Sequence, residues 1–232
     1  NSTKALFEDS KGAIWAGTLK GGLYRYQPVF DVFERIPLLG ETQDSETIVW
    51  DICEDAQHDI LAATNKGLFR LSGSQHPAAR IPLTTKEEYY PLKASVDGAG
   101  NLWVSTPRKG LWTLPRGSMT QELVPAENFP TTNIKDLYTD SEGDLWIATD
   151  DGLFRYAFRT GVFYRHQLTL PNPRDKSPTF IRSVVETSPR SFWIGTSKQG
   201  AVHFNTNTGT RLIEFLGSGE FARDSTVACS VG

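Results

Sequence analysis

One short pattern occurs five times along this chain, and its spacing leaves few folds open. The fullest copy runs from Asp140 to Tyr156: Asp-Ser-Glu-Gly-Asp-Leu-Trp-Ile-Ala-Thr-Asp-Asp-Gly-Leu-Phe-Arg-Tyr. An acidic residue and a glycine make a turn. Leu145 to Thr149 alternates as a strand does, Asp150-Asp151-Gly152 reverses the chain, and Leu153 to Tyr156 runs back. This is a β-hairpin with glycine at each reversal, where positive φ is easiest. The equivalent positions are Trp15, Leu61, Trp103, Trp146 and Trp193, so the periods are 46, 42, 43 and 47 residues. Self-similarity at that length is the signature of four-stranded propeller blades.

Each repeat opens with an apolar segment that ends in an acidic turn, as in Val49-Trp50-Asp51-Ile52-Cys53-Glu54-Asp55 and Ile134-Lys135-Asp136-Leu137-Tyr138-Thr139-Asp140. This segment is strand A, the Leu-Trp-Ile-x-Thr run is strand B, and Gly-Leu-Phe-Arg-Tyr is strand C. A less regular strand D follows, as in Val32 to Ile36 and Gly161 to Tyr164. The expected fold is all-β: a β-propeller of five four-stranded antiparallel blades plus the first strand of a sixth, with little or no helix. The blades span 3–38, 48–84, 90–125, 133–168 and 180–216, and the next begins at 225–232. The extra strand favours an open arc from a larger propeller, and the chain reads as a piece of a longer protein. A lone blade leaves both faces uncovered, and the tryptophan of strand B suits contact with a neighbour.

The 232 residues carry a net charge of −3 with no run of Lys or Arg, which gives no electrostatic case for nucleic acid. Two cysteines, Cys53 and Cys229, are too few for a disulfide framework. No apolar stretch is long enough to span a membrane. Four histidines show no metal-ligand spacing, and neither a nucleophile elbow nor a phosphate loop occurs. No catalytic residue, metal site or cofactor is therefore assigned. Asp9, Asp55, Asp97 and Asp140 recur at one turn, where a carboxylate that accepts backbone amides explains them better than acid–base chemistry.

The residues themselves resemble a known family. Repeat one (Glu8-Asp9, Gly12, Ile14-Trp15-Ala16-Gly17-Thr18, Gly21-Gly22-Leu23-Tyr24-Arg25-Tyr26) and repeat four (Asp140, Gly143, Leu145 to Thr149, Gly152 to Tyr156) are similar to the two-component regulator propeller repeat. Phe129 to Ile134 resembles that family's link into strand A. Repeats two, three and five are looser: Leu61 replaces Trp, Thr113 replaces Arg, and Pro189-Arg190 replaces the glycine turn. The resemblance implies a periplasmic sensor domain of an inner-membrane bacterial regulator, with the membrane reached only through segments outside this chain. The output domain is usually a histidine kinase, often a hybrid one, and sometimes a diguanylate cyclase. A homodimer is implied for the full-length sensor, and oligosaccharides are ligands for many members. Sialidase-type and quinoprotein propellers share architecture only, because the Asp-to-Gly-to-Trp spacings differ. The alternatives are a propeller enzyme acting on carbohydrate and a non-catalytic interaction scaffold.

Candidate ligand contacts come from strand A, taken as the innermost strand. Lys4, Trp50, Lys135 and Arg182 share one column with Leu92; Asp51, Lys93 and Asp136 share the next with Ala5 and Ser183. Charged groups stacked unpaired between blades would carry a large desolvation cost, so the polar members are expected near the channel or its rim. Trp50 offers a stacking face to a sugar ring, or else fills a gap in the blade. Trp112 is the other tryptophan out of register. The loops at 38–47 and 166–178 leave on one rim, either as a binding face or as tolerated surface length. An oligosaccharide or another small ligand is the expected partner.

Overall fold

The computed structural model describes residues 2–38, 46–73, 78–83, 91–118, 120–166, 168, 180–197, 200–207 and 211–212. The expected sixth-blade strand at 225–232, His76, Cys229 and most of the loops at 38–47 and 166–178 lie outside them.

The fold is all-β, with five four-stranded antiparallel blades of the propeller type. Blade 1 holds β1 (Thr3–Glu8), β2 (Ile14–Thr18), β3 (Leu23–Gln27) and β4 (Val32–Ile36). Blade 2 holds β5 (Val49–Glu54), β6 (Ile60–Thr64), β7 (Gly67–Leu71) and β8 (Ala79–Ile81). Blade 3 holds β9 (Lys93–Val96), β10 (Leu102–Thr106), β11 (Gly110–Leu114) and β12 (Glu122–Leu123). Blade 4 holds β13 (Ile134–Thr139), β14 (Leu145–Thr149), β15 (Gly152–Ala157) and β16 (Val162–His166). Blade 5 holds β17 (Ile181–Ser188), β18 (Ser191–Thr196), β19 (Ala201–Asn205) and β20 (Arg211–Leu212). In every blade the strands pair in chain order. The described residues contain no α-helix. The chain forms two compact units, one carrying the first three blades to Leu123, the other Asp97–Ala99 and the chain from Val124.

The repeat pattern closes each hairpin from both ends. At the A–B turn of blade 4, Asp140 Oδ1 accepts the backbone N–H groups of Glu142 (3.0 Å) and Asp144 (2.9 Å). Its Oδ2 accepts the indole N–H of Trp146 at 2.7 Å. Asp9 does the same in blade 1 with Lys11 (3.0 Å), Ala13 (2.8 Å) and Trp15 (2.9 Å). One carboxylate thus fixes the turn and orients the large ring that follows it. Where blade 2 has Leu61 instead, Arg70 reaches from strand C to Asp55 Oδ2 at 3.2 Å. At the other end of strand B, the hydroxyls of Thr18, Thr64, Thr149 and Thr196 donate to the carbonyls of Gly22, Gly67, Gly152 and Gly200 at 2.7 to 3.0 Å.

The A strands carry a shared irregularity. Pairing slips by one residue between Thr3 and Ala5, Val49 and Asp51, Ile134 and Asp136, and Ile181 and Ser183. Each slip is a β-bulge, and the extra residues are Lys4, Trp50, Lys135 and Arg182. The bulge accounts for apolar positions three apart. Val49 and Ile52, Ile134 and Leu137, and Ile181 and Val184 are all buried.

Within the first unit β1 lies against β5 and β5 against β9; within the second β13 lies against β17. Val49 packs so closely on Gly17 that a Cβ there would come within 2.7 Å of its Cγ1. In the second unit the Trp146 ring packs at a tilt against Phe192 of blade 5, with centroids 4.4 Å apart. Carboxylates staple the junctions: Glu54 accepts from Ser10 N (2.8 Å) and Oγ (2.7 Å), and Glu186 accepts from Ser141 N (2.6 Å) and Oγ (3.1 Å). The A–B turn glycine, left-handed at Gly12 and Gly143, is replaced in blades 2 and 5 by His58 (φ 62°) and Arg190 (φ 66°). Both side chains cross to the preceding blade, His58 Nδ1 to within 2.9 Å of Ser10 Oγ and Arg190 Nε to Glu142 at 2.7 Å.

Two predictions follow from the carboxylate–indole pair. Trp146→Phe keeps an aromatic ring but removes the N–H from Asp140 Oδ2 and leaves a void where the rest of the indole lay, and is expected to cost about 2–4 kcal/mol, read as a lowered unfolding midpoint. The two aspartates should also titrate on opposite sides of the ordinary 3.8. Burial raises the pKa of Asp140, outweighing the Trp146 hydrogen bond, with Asp144 and Glu186 adding like charge. Burial opposes ionisation of Asp9 too, but the bonds from Trp15, Ala13 and Lys11, with Arg25 nearby, outweigh it and lower the pKa. The Asp9 contribution to stability is therefore full above 3.8 and lost as pH falls through its folded value. Asp140 favours the fold increasingly as pH falls through its raised value. Carboxyl-carbon NMR titration should show Asp140 protonating first on acidification; the reverse order would refute this account.

Candidate functional site

The bulges separate the two columns of strand A. Lys4 and Arg182 are exposed, and Trp50 and Lys135 are half-buried. The Lys135 ammonium lies 2.9 Å from Asn133 Oδ1 and 3.3 Å from Asp150 Oδ2. The bulge removes these four residues from the regular ladder and turns them off the packed face, which is how a β-sheet re-aims a side chain.

The second column does different work. Asp51 is buried at 8% exposure, and its Oδ2 accepts the backbone N–H of Ala94 in blade 3 at 3.0 Å. Its Oδ1 meets the Lys93 ammonium at 3.1 Å. Asp136 Oδ2 accepts the N–H of Val184 in blade 5 at 3.2 Å. Ala94 and Val184 hold the same place in their repeats, so one device links blades 2 and 3 and blades 4 and 5. The structure thus joins Asp51 to Lys93 directly, and shows Asp51 and Asp136 as blade-to-blade links. Sequence reading saw the two columns but not the inserted residue between them; the three-residue step from Ile134 to Leu137 was its signal.

Two clusters look nucleophilic. Ser10 Oγ, His58 Nδ1 and Glu54 Oε1 lie within 2.7–3.1 Å of one another. One ring nitrogen meets both partners, whereas a triad uses opposite nitrogens for the nucleophile and the acid. Ser191 Oγ lies 2.7 Å from His203 Nε2, but Ser191 is buried at 7% exposure between strands. Cys53 is no better a nucleophile, because burial, with Asp51 and Asp55 close by, pushes its thiol well above the usual range. Among the described residues, no three His, Cys, Asp or Glu side chains are placed to hold a metal ion. Trp112 on β11 donates its indole N–H to Thr106 at 3.2 Å, a contact within its own blade.

A pocket that sequence reading missed lies between blades 4 and 5. It encloses about 290 Å³ and is walled by charged and polar groups: Asp140, Glu142, Arg155, Arg190, Thr206 and Asn207. Phe192 and His166 complete its lining. These residues are scattered from 140 to 207, and only the stacking of two blades assembles them.

Residues 128–151 match the family model of the two-component regulator propeller. The chain carries this repeat. The matched stretch contains the bulge at Lys135, the blade link Asp136, the Asp140–Trp146 pair and Thr149. No curated protein matches the sequence. Among solved structures, the extracellular domain assigned to a hybrid two-component system of B. thetaiotaomicron is similar at 18% identity and a TM-score of 0.59, over 96% of this chain. A virginiamycin B lyase of Staphylococcus aureus aligns at 12% identity and TM-score 0.66, over 90% of this chain and 68% of its own. A GH74 enzyme of Niastella koreensis aligns at 15% identity and TM-score 0.66, over 90% and 36%. At these identities the likeness is one of fold. The chain spans 37% of the length of the B. thetaiotaomicron domain.

The blade link gives a graded prediction. Asp51→Asn keeps an acceptor for Ala94 N–H and loses only the partly solvated charge pair with Lys93. Asp51→Ala strands a buried N–H and should cost about 1–3 kcal/mol, more than Asp51→Asn. Denaturant unfolding of the two variants measures the difference, and equal losses would mean that the acceptor is not what matters.

Proposed function

We propose that this chain is the ligand-recognition part of a bacterial signalling protein, a sensor propeller held outside the inner membrane by segments beyond this chain. The observation that carries the reading is the regulator propeller repeat at 128–151, set in five blades of the same construction. The likeness in fold to an extracellular two-component domain is in keeping with it.

In this reading the protein senses rather than catalyses. The recurrent carboxylates are committed: Asp9 and Asp140 each accept three N–H groups, and Asp51 and Asp136 bind neighbouring blades. Recognition falls to the bulge residues, Lys4 and Trp50 in the first unit and Lys135 and Arg182 in the second, which are free to differ because the ladder does not need them. An indole face such as that of Trp50 suits an oligosaccharide, whose C–H faces stack on it, and Lys or Arg side chains donate to its hydroxyls. Lys93 supports the row through Asp51. The full-length sensor is a homodimer in this scheme, and the kinase or cyclase output lies in the cytoplasm.

The domain order of the full-length gene product tests the class. A transmembrane segment and a kinase or cyclase domain are expected in it, and the absence of both would end the sensor reading. For the site, Trp50→Ala in the full-length propeller, titrated by calorimetry with candidate oligosaccharides, should weaken binding by about 1–3 kcal/mol, the scale of one truncated hot-spot aromatic. Unchanged affinity for an oligosaccharide that does bind removes Trp50 from the site.

A further inference from the structure

The pocket between blades 4 and 5 has an imbalance of donors and acceptors. Its carboxylates are already engaged. Asp140 accepts from Glu142 N, Asp144 N and Trp146 Nε1, and Glu142 accepts from Arg190 Nε at 2.7 Å. The Asn207 side-chain oxygen is also taken, by Arg190 Nη1 at 2.8 Å, which leaves the Asn207 NH₂ as a donor. Thr206 adds a hydroxyl to the same wall.

Arg155 is the cation with capacity to spare. Its guanidinium lies 5.8 Å from the Trp146 ring centroid and 5.1 Å from that of Tyr164. The nearest carboxylate oxygen, Asp144 Oδ2, is 3.5 Å from Nη1, too long for a strong hydrogen bond. Its buried Nε meets no acceptor among the described residues. Two rings therefore hold the group in place, while its Nη end lacks a close acceptor. A rigid guanidinium fork of this kind matches a planar carboxylate. Asp140, Glu142 and Asp144 outnumber Arg155 and Arg190, so selectivity for a single carboxylate rests on the geometry of the Arg155 fork and not on net charge. The volume, about 290 Å³, lies at the small end of the range for small-molecule sites.

We propose that this pocket binds a small monocarboxylate, no larger than a single sugar acid, with Arg155 receiving the carboxylate and Thr206 and Asn207 donating to its other oxygens. The site is separate from the strand A bulges and does not rest on the sensor reading.

D-glucuronate and D-glucose are matched probes, alike in ring and size and different in the carboxylate. Titration of the full chain, followed by calorimetry and by the Arg155 Nε–Hε NMR signal, should show saturable binding of glucuronate at least about 10-fold tighter than glucose, with that signal shifting. Arg155→Gln should weaken glucuronate by about 10-fold or more. Because Arg155 also stacks on Trp146, Asn207→Asp provides a second reading. It sits at an exposed turn, replaces a donor with a like charge, and should weaken glucuronate several-fold with the unfolding midpoint unchanged. Trp50→Ala should leave this binding intact, which keeps it distinct from recognition at the bulges. Equal affinity for glucose, no saturable glucuronate binding at millimolar concentration, or glucuronate binding indifferent to both Arg155→Gln and Asn207→Asp would overturn the proposal.

Discussion

A carboxylate drawn partly or wholly out of water that finds its donors within seven residues is the constraint on which blades 1 and 4 rest. Asp140 binds two turn amides and one indole, and so does Asp9. Left without those donors, such a carboxylate would be expensive to bury. With them, a short polar turn fixes the path of the chain and the direction of a tryptophan together. The ring then meets the next blade, as Trp146 meets Phe192, so a local hydrogen bond sets a long-range packing contact. Blade 2, which lacks the strand B tryptophan, meets its aspartate with an ion pair instead of an indole N–H. There Arg70 supplies the partner for Asp55 from the adjacent strand.

The period, the strand order and the turns were legible because each depends on residues close in sequence. Asp-x-x-Gly-x-x-Trp is a local geometry, and Thr149 and Gly152 are separated by one turn. The strand A bulge was half legible. Ile134 and Leu137, three apart, departed from strict alternation, but only pairing with strand B identified Lys135 as the inserted residue. The expectation that polar members of both columns share a rim treated the two as alike. Asp51 instead is buried and bound to the N–H of Ala94, a partner 43 residues away that no local rule supplies.

The pocket between blades 4 and 5 was not legible for the same reason. Arg155 reads as one more strand C arginine, and Arg190 as a lost turn glycine. Their meeting depends on how two sheets stack, and on Arg190 adopting a left-handed backbone (φ 66°) that lets its side chain reach Glu142. His58 does the equivalent for blades 1 and 2. Departures from the repeat thus fall where neighbouring blades are tied together, as expected where local preference yields to a tertiary need.

The bulge has a consequence for how such a scaffold changes over time. A residue set outside the regular ladder answers to fewer constraints from strand pairing. Lys, Trp, Lys and Arg occupy the four equivalent bulges, a wide range of size and chemistry. Where the flanking residue is buried, as at Val49, Ile134 and Ile181, it is β-branched and apolar because the core holds it to that; the exposed Thr3 of blade 1 is not so held. Selection for a new ligand can therefore rewrite one row of side chains, blade by blade, while the frame that presents them is inherited unaltered.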